Sequence, residues 1–322
     1  MTFTVGGLHW CEMTPQLRHT FAGALVLLAL LSCGQETSVP AAKAERERAG
    51  LFPVVVGGKC GYVDRSGKLV INPRFDDSKP FSEGLAWVRT HGRWGCIDRS
   101  GRFVFTAQYD YVGDFSEGLA AVEIGRRNGY VDRTGSLVIN PRFDTAGFFS
   151  DGLAGVKVNG SAWGYIDRTG KFVIQPQFDF AGRYSEGLAA VRVGGKWGYI
   201  DKTGTFAIEP QFDLAGEFYE GLAHVRIGES VTGKSGYIDT AGKFVIQPQF
   251  DFAGEFSEGL APVRTGGWVT GKYGYIDGSG RLIIAPQFTL ALPFCEGVAR
   301  VVVADGIGLI DKTGRYIWEP TR

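Results

Sequence analysis

The apolar positions of residues 188–213 predict three short β-strands. Residues 188–193 are rich in β-forming side chains and are followed by Gly194-Gly195, a strong hairpin signal. A second strand is predicted at 196–201, and a third begins at 206 after a tight glycine turn. The segment therefore predicts a three-stranded antiparallel meander.

This segment is one copy of a repeated unit. A Gly-aromatic-Ile/Val-Asp motif recurs, with substitutions at the aromatic position, and its successive glycines lie 34, 34, 35, 34, 38, 38 and 34 residues apart. Such a period indicates a solenoid, a propeller or another array. No stretch keeps a helical period, so the expected class is all-β. The eight glycines are Gly61, Gly95, Gly129, Gly164, Gly198, Gly236, Gly274 and Gly308.

The repeats fit the chain as eight meanders of about 34 residues between residues 51 and 320. We expect an open β-solenoid or superhelix, because propeller blades normally have four strands and 34 residues leave room for three. A closed propeller-like ring of eight blades is the alternative. A recurrent proline is expected where the third strand ends or lies at a sheet edge. These prolines are Pro73, Pro141, Pro176, Pro210, Pro248, Pro286 and Pro320.

The first 33 residues have the pattern of an export signal. The apolar run 21–31 is too short to cross a bilayer, and it is followed by Cys33 in a Leu-Leu-Ser-Cys-Gly sequence that resembles the lipobox of bacterial lipoproteins. The resemblance implies lipidation of Cys33 and anchoring by its acyl chains, at the outer membrane if the cell has one. Met13 is the expected start. Residues 34–50 form a polar tether, and 51–322 the repeat domain.

Composition excludes some classes of function. The 34 basic and 34 acidic residues cancel, which argues against a nucleic-acid partner. A hydrophobic content of 44% excludes a disordered chain, and the 48 glycines agree with many turns.

The repeats resemble the WG-repeat family of bacterial proteins. The Trp-Gly pairs begin at Trp94, Trp163 and Trp197, and Phe-Ser-Glu-Gly-Leu-Ala sequences surround them, for example at 81–86. In other repeats a different residue replaces the tryptophan, for example Tyr273. The family implies a β-repeat scaffold without an established chemistry.

Two rows of carboxylates recur with the repeats. One aspartate per unit precedes a turn, so we expect it to accept hydrogen bonds from turn amides. One acidic residue precedes each Gly-Leu-Ala or Gly-Val-Ala, and equivalent residues in a row do not resemble a catalytic pair. The aspartates are Asp64, Asp98, Asp132, Asp167, Asp201, Asp239, Asp277 and Asp311. The second row comprises Glu83, Glu117, Asp151, Glu186, Glu220, Glu258 and Glu296.

No catalytic, metal-binding or cofactor-binding residues are predicted. His91 and His224 are not spaced as a pair of metal ligands, and the sequence contains no Cys-x-x-Cys motif. Cys60 and Cys96 occupy aromatic repeat positions. They are either buried small hydrophobic residues or a disulfide, which an exported compartment permits.

Aromatic residues form the candidate binding surface: Trp94, Trp163, Trp197, Trp268 and Tyr273. They could stack on a ligand or pack between units, and their regular positions favour packing. Two hairpin loops, 228–234 and 266–272, are four residues longer than the others. Insertions of this kind often map to a binding face, and Trp268 lies in one of them.

Three functions remain. The first is a lipid-anchored, non-enzymatic scaffold that binds another envelope protein, which an extended repeat surface suits. The second is a peptidoglycan- or glycan-binding module that uses the aromatics. The third is an envelope hydrolase. It is disfavoured because the candidate residues all recur with the repeat, whereas a catalytic site needs a set of residues that occurs once. We expect the first.

Overall fold

The computed structural model describes residues 50–64, 67–160, 162–229, 232–267, 270–304 and 306–321. The predicted signal, Cys33, the tether up to residue 49, and Trp268 lie outside the described residues. The chain divides into unit 1, which ends at Val112, and unit 2, which begins at Gly113. No helix among the described residues is long and apolar enough to cross a membrane.

Unit 1 contains two antiparallel sheets. Sheet 1 consists of β1 (Phe52–Val56), β2 (Lys59–Val63) and β3 (Leu69–Phe75). Sheet 2 consists of β4 (Asp77–Ser78), β5 (Leu85–Thr90), β6 (Arg93–Asp98) and β7 (Phe103–Tyr109), and β8 (Tyr111–Val112) ends the unit.

Unit 2 contains the remaining sheets. Sheet 3 includes β9 (Leu119–Ile124), β10 (Arg127–Asp132) and β11 (Leu137–Phe143); sheet 4 has β12 (Thr145–Ala146), β13 (Ala154–Val158), β14 (Ala162–Ile166) and β15 (Phe172–Phe178). Sheet 5 has β16 (Phe180–Ser185), β17 (Leu188–Val193), β18 (Lys196–Ile200) and β19 (Phe206–Phe212); sheet 6 has β20 (Leu214–Ala215), β21 (Ala223–Ile227), β22 (Lys234–Ile238) and β23 (Phe244–Phe250). Sheet 7 has β24 (Phe252–Ala253), β25 (Leu260–Thr265), β26 (Lys272–Asp277) and β27 (Leu282–Phe288); sheet 8 has β28 (Leu290–Ala291), β29 (Val298–Val303), β30 (Gly306–Asp311) and β31 (Tyr316–Thr321).

The all-β prediction with eight repeated antiparallel sheets is confirmed. Most sheets have a short strand before the predicted meander, and we number the strands of each such sheet first to fourth in chain order. Several first strands have only two residues, too few to show an alternating pattern. Four antiparallel strands are the content of a propeller blade, so strand count no longer favours the open array over the propeller alternative, whose eight blades the number of sheets matches.

The hairpin between the second and third strands has the expected turn. In sheet 5, Val193 pairs with Lys196, and the two glycines between them have φ values of +58° and +82°. A two-residue turn with both residues at positive φ matches the right-handed twist of the strands. Glycine pairs therefore specify where this hairpin turns.

The fourth strand carries the recurrent proline, as predicted for a sheet edge. Opposite the proline the register shifts: Trp197 pairs with Phe212, but Tyr199 pairs with Ile208. Gly198 lies between them, and a Cβ there would come within 2.7 Å of the Pro210 nitrogen. The repeated glycine is required because the bulged strand passes directly over it.

The core lies between successive sheets. One buried cluster joins Tyr165 and Phe178 of sheet 4 to Tyr184 and Val191 of sheet 5. Comparable clusters join sheets 1 and 2 within unit 1, and sheets 7 and 8 within unit 2. Within each unit, the repeats therefore bury their apolar faces against their neighbours.

Candidate functional site

The turn aspartates have the structural role expected from the sequence. Oδ1 of Asp201 accepts hydrogen bonds from the amides of Thr203, at 2.9 Å, and Thr205, at 3.0 Å, and from the Thr203 hydroxyl at 2.6 Å. These bonds, with that hydroxyl as the largest contribution, lower the pKa of Asp201. Equivalent bonds form at other repeats, for example at Asp98 and Asp167.

The second row of acids also serves the framework. Glu186 has φ +53°, and its Oε2 accepts the Gly221 amide of the next sheet at 3.0 Å. Glu220 makes the same contact with Gly259 at 2.9 Å. These carboxylates hold one sheet to the next.

A third row of aspartates was missed in the sequence. Asp213 follows the fourth strand of sheet 5; its Oδ1 lies 2.5 Å from Lys196 Nζ, and its Oδ2 accepts the Gly228 amide at 2.8 Å. The Lys196 bond, followed by the amide, lowers the pKa of Asp213. In the sequence, this row is marked by a Phe-Asp pair that follows the recurrent proline. Asp76 and Asp251 are two further examples, and each also bonds to a lysine.

The repeated tyrosines pack between sheets. The Tyr199 hydroxyl donates to the Gly216 carbonyl of the next sheet at 2.7 Å, and its ring lies 4.8 Å from that of Phe218. Tyr237 makes the same bond to Gly254 at 2.8 Å. Burial raises the pKa of both phenols, so they remain neutral donors.

The structure places the predicted surface aromatics in different environments. In unit 1, Trp94 is buried, with the Arg89 guanidinium 5.6 Å from its ring centre. In unit 2, Tyr273 is buried, and its ring centre lies 5.7 Å from the Arg264 guanidinium. Neither ring offers a free face for stacking.

Trp163 and Trp197 are half-buried and lie on either side of Phe180. The ring of Phe180 is 5.3 Å from that of Trp163 and 5.4 Å from that of Trp197. The three rings form one patch across sheets 4 and 5.

Phe180 belongs to a row of exposed apolar residues that the sequence analysis did not identify. Each begins a first strand, near the end of the sheet that carries the hairpin between the second and third strands. We call this set the apolar row: Phe180 (40% exposed), Leu214 (40%), Phe252 (41%) and Leu290 (38%).

Gly228 and Glu229, at the start of the enlarged loop, lie beside the apolar row. An open pocket of about 410 Å³ is lined by Leu214 of the row, by Asp213 and Arg226, and by Gly228 and Glu229 of the loop. The apolar row, the patch around Phe180 and this pocket constitute what we call the hairpin face of unit 2.

A separate cluster interrupts the repeat within the first strands and the segments that follow them. Arg183 Nε donates to Glu217 Oε2 at 2.6 Å, and Arg183 Nη2 donates to the Tyr219 hydroxyl at 2.6 Å. The Tyr219 hydroxyl donates to Glu217 Oε2 at 2.5 Å. Glu255 of the next sheet interacts electrostatically with Glu217 and Arg183. We call these four residues the polar cluster.

The polar cluster shifts the pKa values of its members. Burial, followed by the charge of Glu217, raises the pKa of Glu255 to about 7. Burial also lowers the pKa of Arg183, but the contacts with Glu217 and Tyr219 outweigh it and leave the pKa raised. Arg183 is therefore a permanent cation, whereas Glu255 titrates near neutrality.

The described residues contain no group of three or more His, Cys, Asp or Glu side chains placed to hold a metal ion. Cys60 and Cys96 are both buried thiols, in agreement with the interpretation of them as small core residues.

The family described as WG containing repeat matches the chain seven times, at residues 61–94, 94–126, 129–161, 163–197, 197–229, 236–267 and 273–305. No curated protein matches the chain.

Solved structures show distant likenesses. BamB from Moraxella catarrhalis is 13% identical with a TM-score of 0.49, over 76% of this chain and 88% of that one. Hsv2 from Kluyveromyces marxianus is 9% identical with a TM-score of 0.48, over 74% and 94%. The extracellular domain of the putative one component system BT4673 from B. thetaiotaomicron is 13% identical with a TM-score of 0.40, over 76% and 41%. Likenesses of this strength carry no conclusion about function.

Proposed function

The chain belongs to the WG containing repeat family, and we propose that it is a non-enzymatic binding scaffold of the cell envelope that binds another envelope protein through the hairpin face of unit 2. The observation that carries this proposal is the apolar row. Four large apolar side chains, each about 40% exposed, recur at the same position of sheets 5 to 8.

The hairpin face has the composition of a protein interface. Exposed apolar patches rimmed by polar residues are typical of docking sites, and aromatic anchors supply most of the binding energy in such sites. Phe180, flanked by Trp163 and Trp197, is the candidate anchor. Lys196 precedes Trp197 and Asp213 precedes Leu214 in the chain, and their ion pair supplies a polar rim.

A glycan-binding role has weaker support from the same residues. Stacking on a sugar needs an open ring face, but Trp94 and Tyr273 are buried beneath arginines. Trp163 and Trp197 are half-buried, and both rings lie against that of Phe180, so part of each ring is covered. Peptidoglycan is therefore the alternative ligand, and its binding is tested below.

The non-enzymatic part of the proposal rests on the carboxylates. The two acidic rows found in the sequence accept backbone amides in successive repeats, as at Asp201 and Glu186. Such repeated structural roles differ from the paired, unequal environments of catalytic acids.

The location at the envelope rests on the amino-terminal sequence. We propose that Cys33 carries the lipid that holds the repeat domain at a membrane. Metabolic labelling with a palmitate analogue should mark the wild-type chain and leave Cys33→Ser unlabelled. Labelling of Cys33→Ser at the wild-type level would refute the anchor.

Site-specific crosslinking in cells tests the binding surface. A photo-crosslinking amino acid at Phe180, Leu214 or Phe252 should give the same defined protein adduct. Matched controls at Val173 and Val245 are equally exposed, at 47% and 46%, but lie on fourth strands. Phe180→Asp, combined with the crosslinker at Leu214, should abolish the adduct.

The outcomes separate the candidate functions. Equal adducts at Val173 and Phe180 would contradict docking at the hairpin face. Sedimentation of the full chain with purified peptidoglycan, lost in a folded Trp163→Ala/Trp197→Ala variant, would favour the glycan alternative. Turnover of an envelope substrate by the purified chain would contradict the non-enzymatic proposal.

A further inference from the structure

A row of ion pairs recurs along the hairpin face of unit 2, one at the junction between each sheet and the next. The cation that begins a third strand pairs with the aspartate that follows the fourth strand of the same sheet. The second carboxylate oxygen of that aspartate accepts an amide from the hairpin of the next sheet, at Gly160, Gly228 or Gly267. The complete pairs of unit 2 are Arg127–Asp144, Lys196–Asp213 and Lys234–Asp251.

Two junctions of unit 2 hold only one member of the pair. Between sheets 4 and 5 the acid is Asp179, but Ala162 stands at the position of the cation. Between sheets 7 and 8 the cation is Lys272, but Thr289 replaces the aspartate, and its hydroxyl lies 3.4 Å from the ammonium. Asp179 and Lys272 are both exposed, and among the described residues neither forms an ion pair. The face therefore carries one unmatched anion and one unmatched cation.

The two incomplete pairs lie at the two ends of the apolar row. Each residue of the row directly follows the position of a junction acid, in the order Phe180, Leu214, Phe252 and Leu290. The incomplete pairs are therefore beside Phe180 and Leu290, and the complete pairs are beside the two residues between them. At the junction of sheets 3 and 4 the pair is complete, and the residue that follows its acid is Thr145, which is polar. An unmatched acid and an unmatched base thus bound the exposed apolar surface.

The framework accounts for neither gap. A cation at position 162 or an aspartate at position 289 would repeat what sheet 5 already contains at Lys196 and Asp213. An exposed ion pair contributes little to stability, so the fold neither needs the gaps nor suffers from them. An unmatched charge gains more when the opposite charge of a partner reaches it and water is excluded around both.

The other cations at these two junctions do not close the gaps. Lys157 and Arg192 belong to the second strands of the sheets that meet at Asp179, and among the described residues neither forms an ion pair with it. Arg264 pairs across the strands with Tyr273, the residue after Lys272, and adds positive charge at that end.

We propose that the segment that docks on the hairpin face is apolar in its middle, with a Lys or Arg at one end that meets Asp179 and an Asp or Glu at the other that meets Lys272. This inference rests on the proposed function and adds the chemistry and the direction of the partner segment. The two ends are three sheet spacings apart, roughly 30 Å, because packed sheets lie about 10 Å from each other. About nine residues of an extended strand, or about 20 of a helix, span this distance.

Two substitutions that fill the gaps from within the chain test the proposal. Thr289→Asp should give Lys272 a carboxylate, and Ala162→Lys should give Asp179 a cation, as in the complete pairs. With a photo-crosslinking amino acid at Leu214 in cells, each should lower the yield of the protein adduct about fivefold, because one charge of the partner loses its counterpart. Thr289→Asn and Ala162→Gln are the uncharged controls and should leave the yield near that of the wild type. Urea midpoints of the filled variants should equal or exceed the wild-type value, which excludes unfolding as the cause.

The attachment sites of the crosslinks test the direction of the segment. The crosslinker at Phe180 should attach close to a Lys or Arg, and the crosslinker at Leu290 close to an Asp or Glu of the same segment. The reverse order of charges would overturn the inference. Asp305, between β29 and β30, lies outside the described residues, and Asp305→Asn should leave the adduct unchanged. A higher yield with Asp305→Asn would identify this acid as the counter-ion of Lys272 and would also overturn the inference.

The outcomes distinguish this inference from the proposed function. A Leu214 adduct whose yield is the same in the wild type and in both filled variants would refute the charged ends and leave docking at the hairpin face standing. No protein adduct at Phe180, Leu214 or Phe252 would refute both. Adducts to lipid alone, or to a second copy of this chain alone, would likewise refute both, because the occupant would not be another envelope protein.

Discussion

Individual residues of the repeat are constrained for different physical reasons. Gly194 is needed for its positive φ of +58°, and no heavy atom lies within 4 Å of the place that a Cβ would take there. Gly198 is needed because the backbone of the fourth strand passes over it. Both are glycines in the same repeat, but only the second reflects close packing. The difference can be measured.

Gly198→Ala should destabilise the repeat domain by about 3 kcal/mol, because its Cβ would overlap the fourth-strand backbone. Gly194→Ala should cost about 1 kcal/mol, since an L-residue adopts a left-handed conformation with modest strain. Urea unfolding of both variants checks the order. Equal losses would show that the bulge over Gly198 relaxes freely.

A single residue, Glu255, also makes the stability of the fold depend on pH. The pKa of Glu255 is raised from 4.5 to about 7, so between these two values the folded chain binds more protons at this site than the unfolded chain. Its contribution to stability therefore falls as pH rises through that window. Glu255→Gln should be more stable than wild type at pH 8 and equal to it near pH 4, as measured by urea midpoints. A constant difference across this range would contradict the assignment.

At the scale of the element, each hairpin is held by the sheet before it. Asp213 links the start of the third strand of its own sheet, at Lys196, to the hairpin of sheet 6, at Gly228. The ion pair is exposed and contributes little by itself. The hydrogen bond from the Gly228 amide is the stronger part, and it fixes the residue at which the enlarged loop begins.

Asp213→Ala should therefore accelerate hydrogen exchange of the Gly228 amide roughly fivefold, the effect of losing about 1 kcal/mol from a single hydrogen bond. Asp179→Ala is the matched control, because Asp179 contacts the Gly195 amide of another hairpin. It should change exchange at Gly195 but not at Gly228. Unchanged exchange at Gly228 in Asp213→Ala would contradict the anchoring role.

At the scale of the whole molecule, the repeats of each unit share their cores with their neighbours in that unit. Phe218 of sheet 6 is fully buried and packs against Tyr199 of sheet 5. Stability in such an array is carried by nearest-neighbour interfaces. A defect in one interface should therefore act locally within unit 2.

Phe218→Ala should destabilise by about 3–5 kcal/mol, the usual effect of truncating a buried aromatic residue. Hydrogen exchange should rise most in sheets 5 and 6 and less in sheet 8. Val245→Ala, at a 46% exposed position of sheet 6, should leave exchange close to wild type. A uniform rise throughout unit 2 with Phe218→Ala would indicate global unfolding instead.

The sequence by itself determined the repeat, its period, its turns and the role of its turn aspartates. These depend on local chemistry: glycine pairs turn hairpins, and an aspartate before a turn accepts amides two and four residues ahead. The short first strands have too few residues for such a pattern.

Only the tertiary structure decided which residues of different repeats meet. Arg183, Glu217 and Glu255 lie 34 and 38 residues apart, and each looks like an ordinary surface charge until the sheets pack side by side. In the same way, packing buried Trp94 and left Phe180 exposed. Local propensity sets the strands, but the contacts across sheets set the surface that is left for binding.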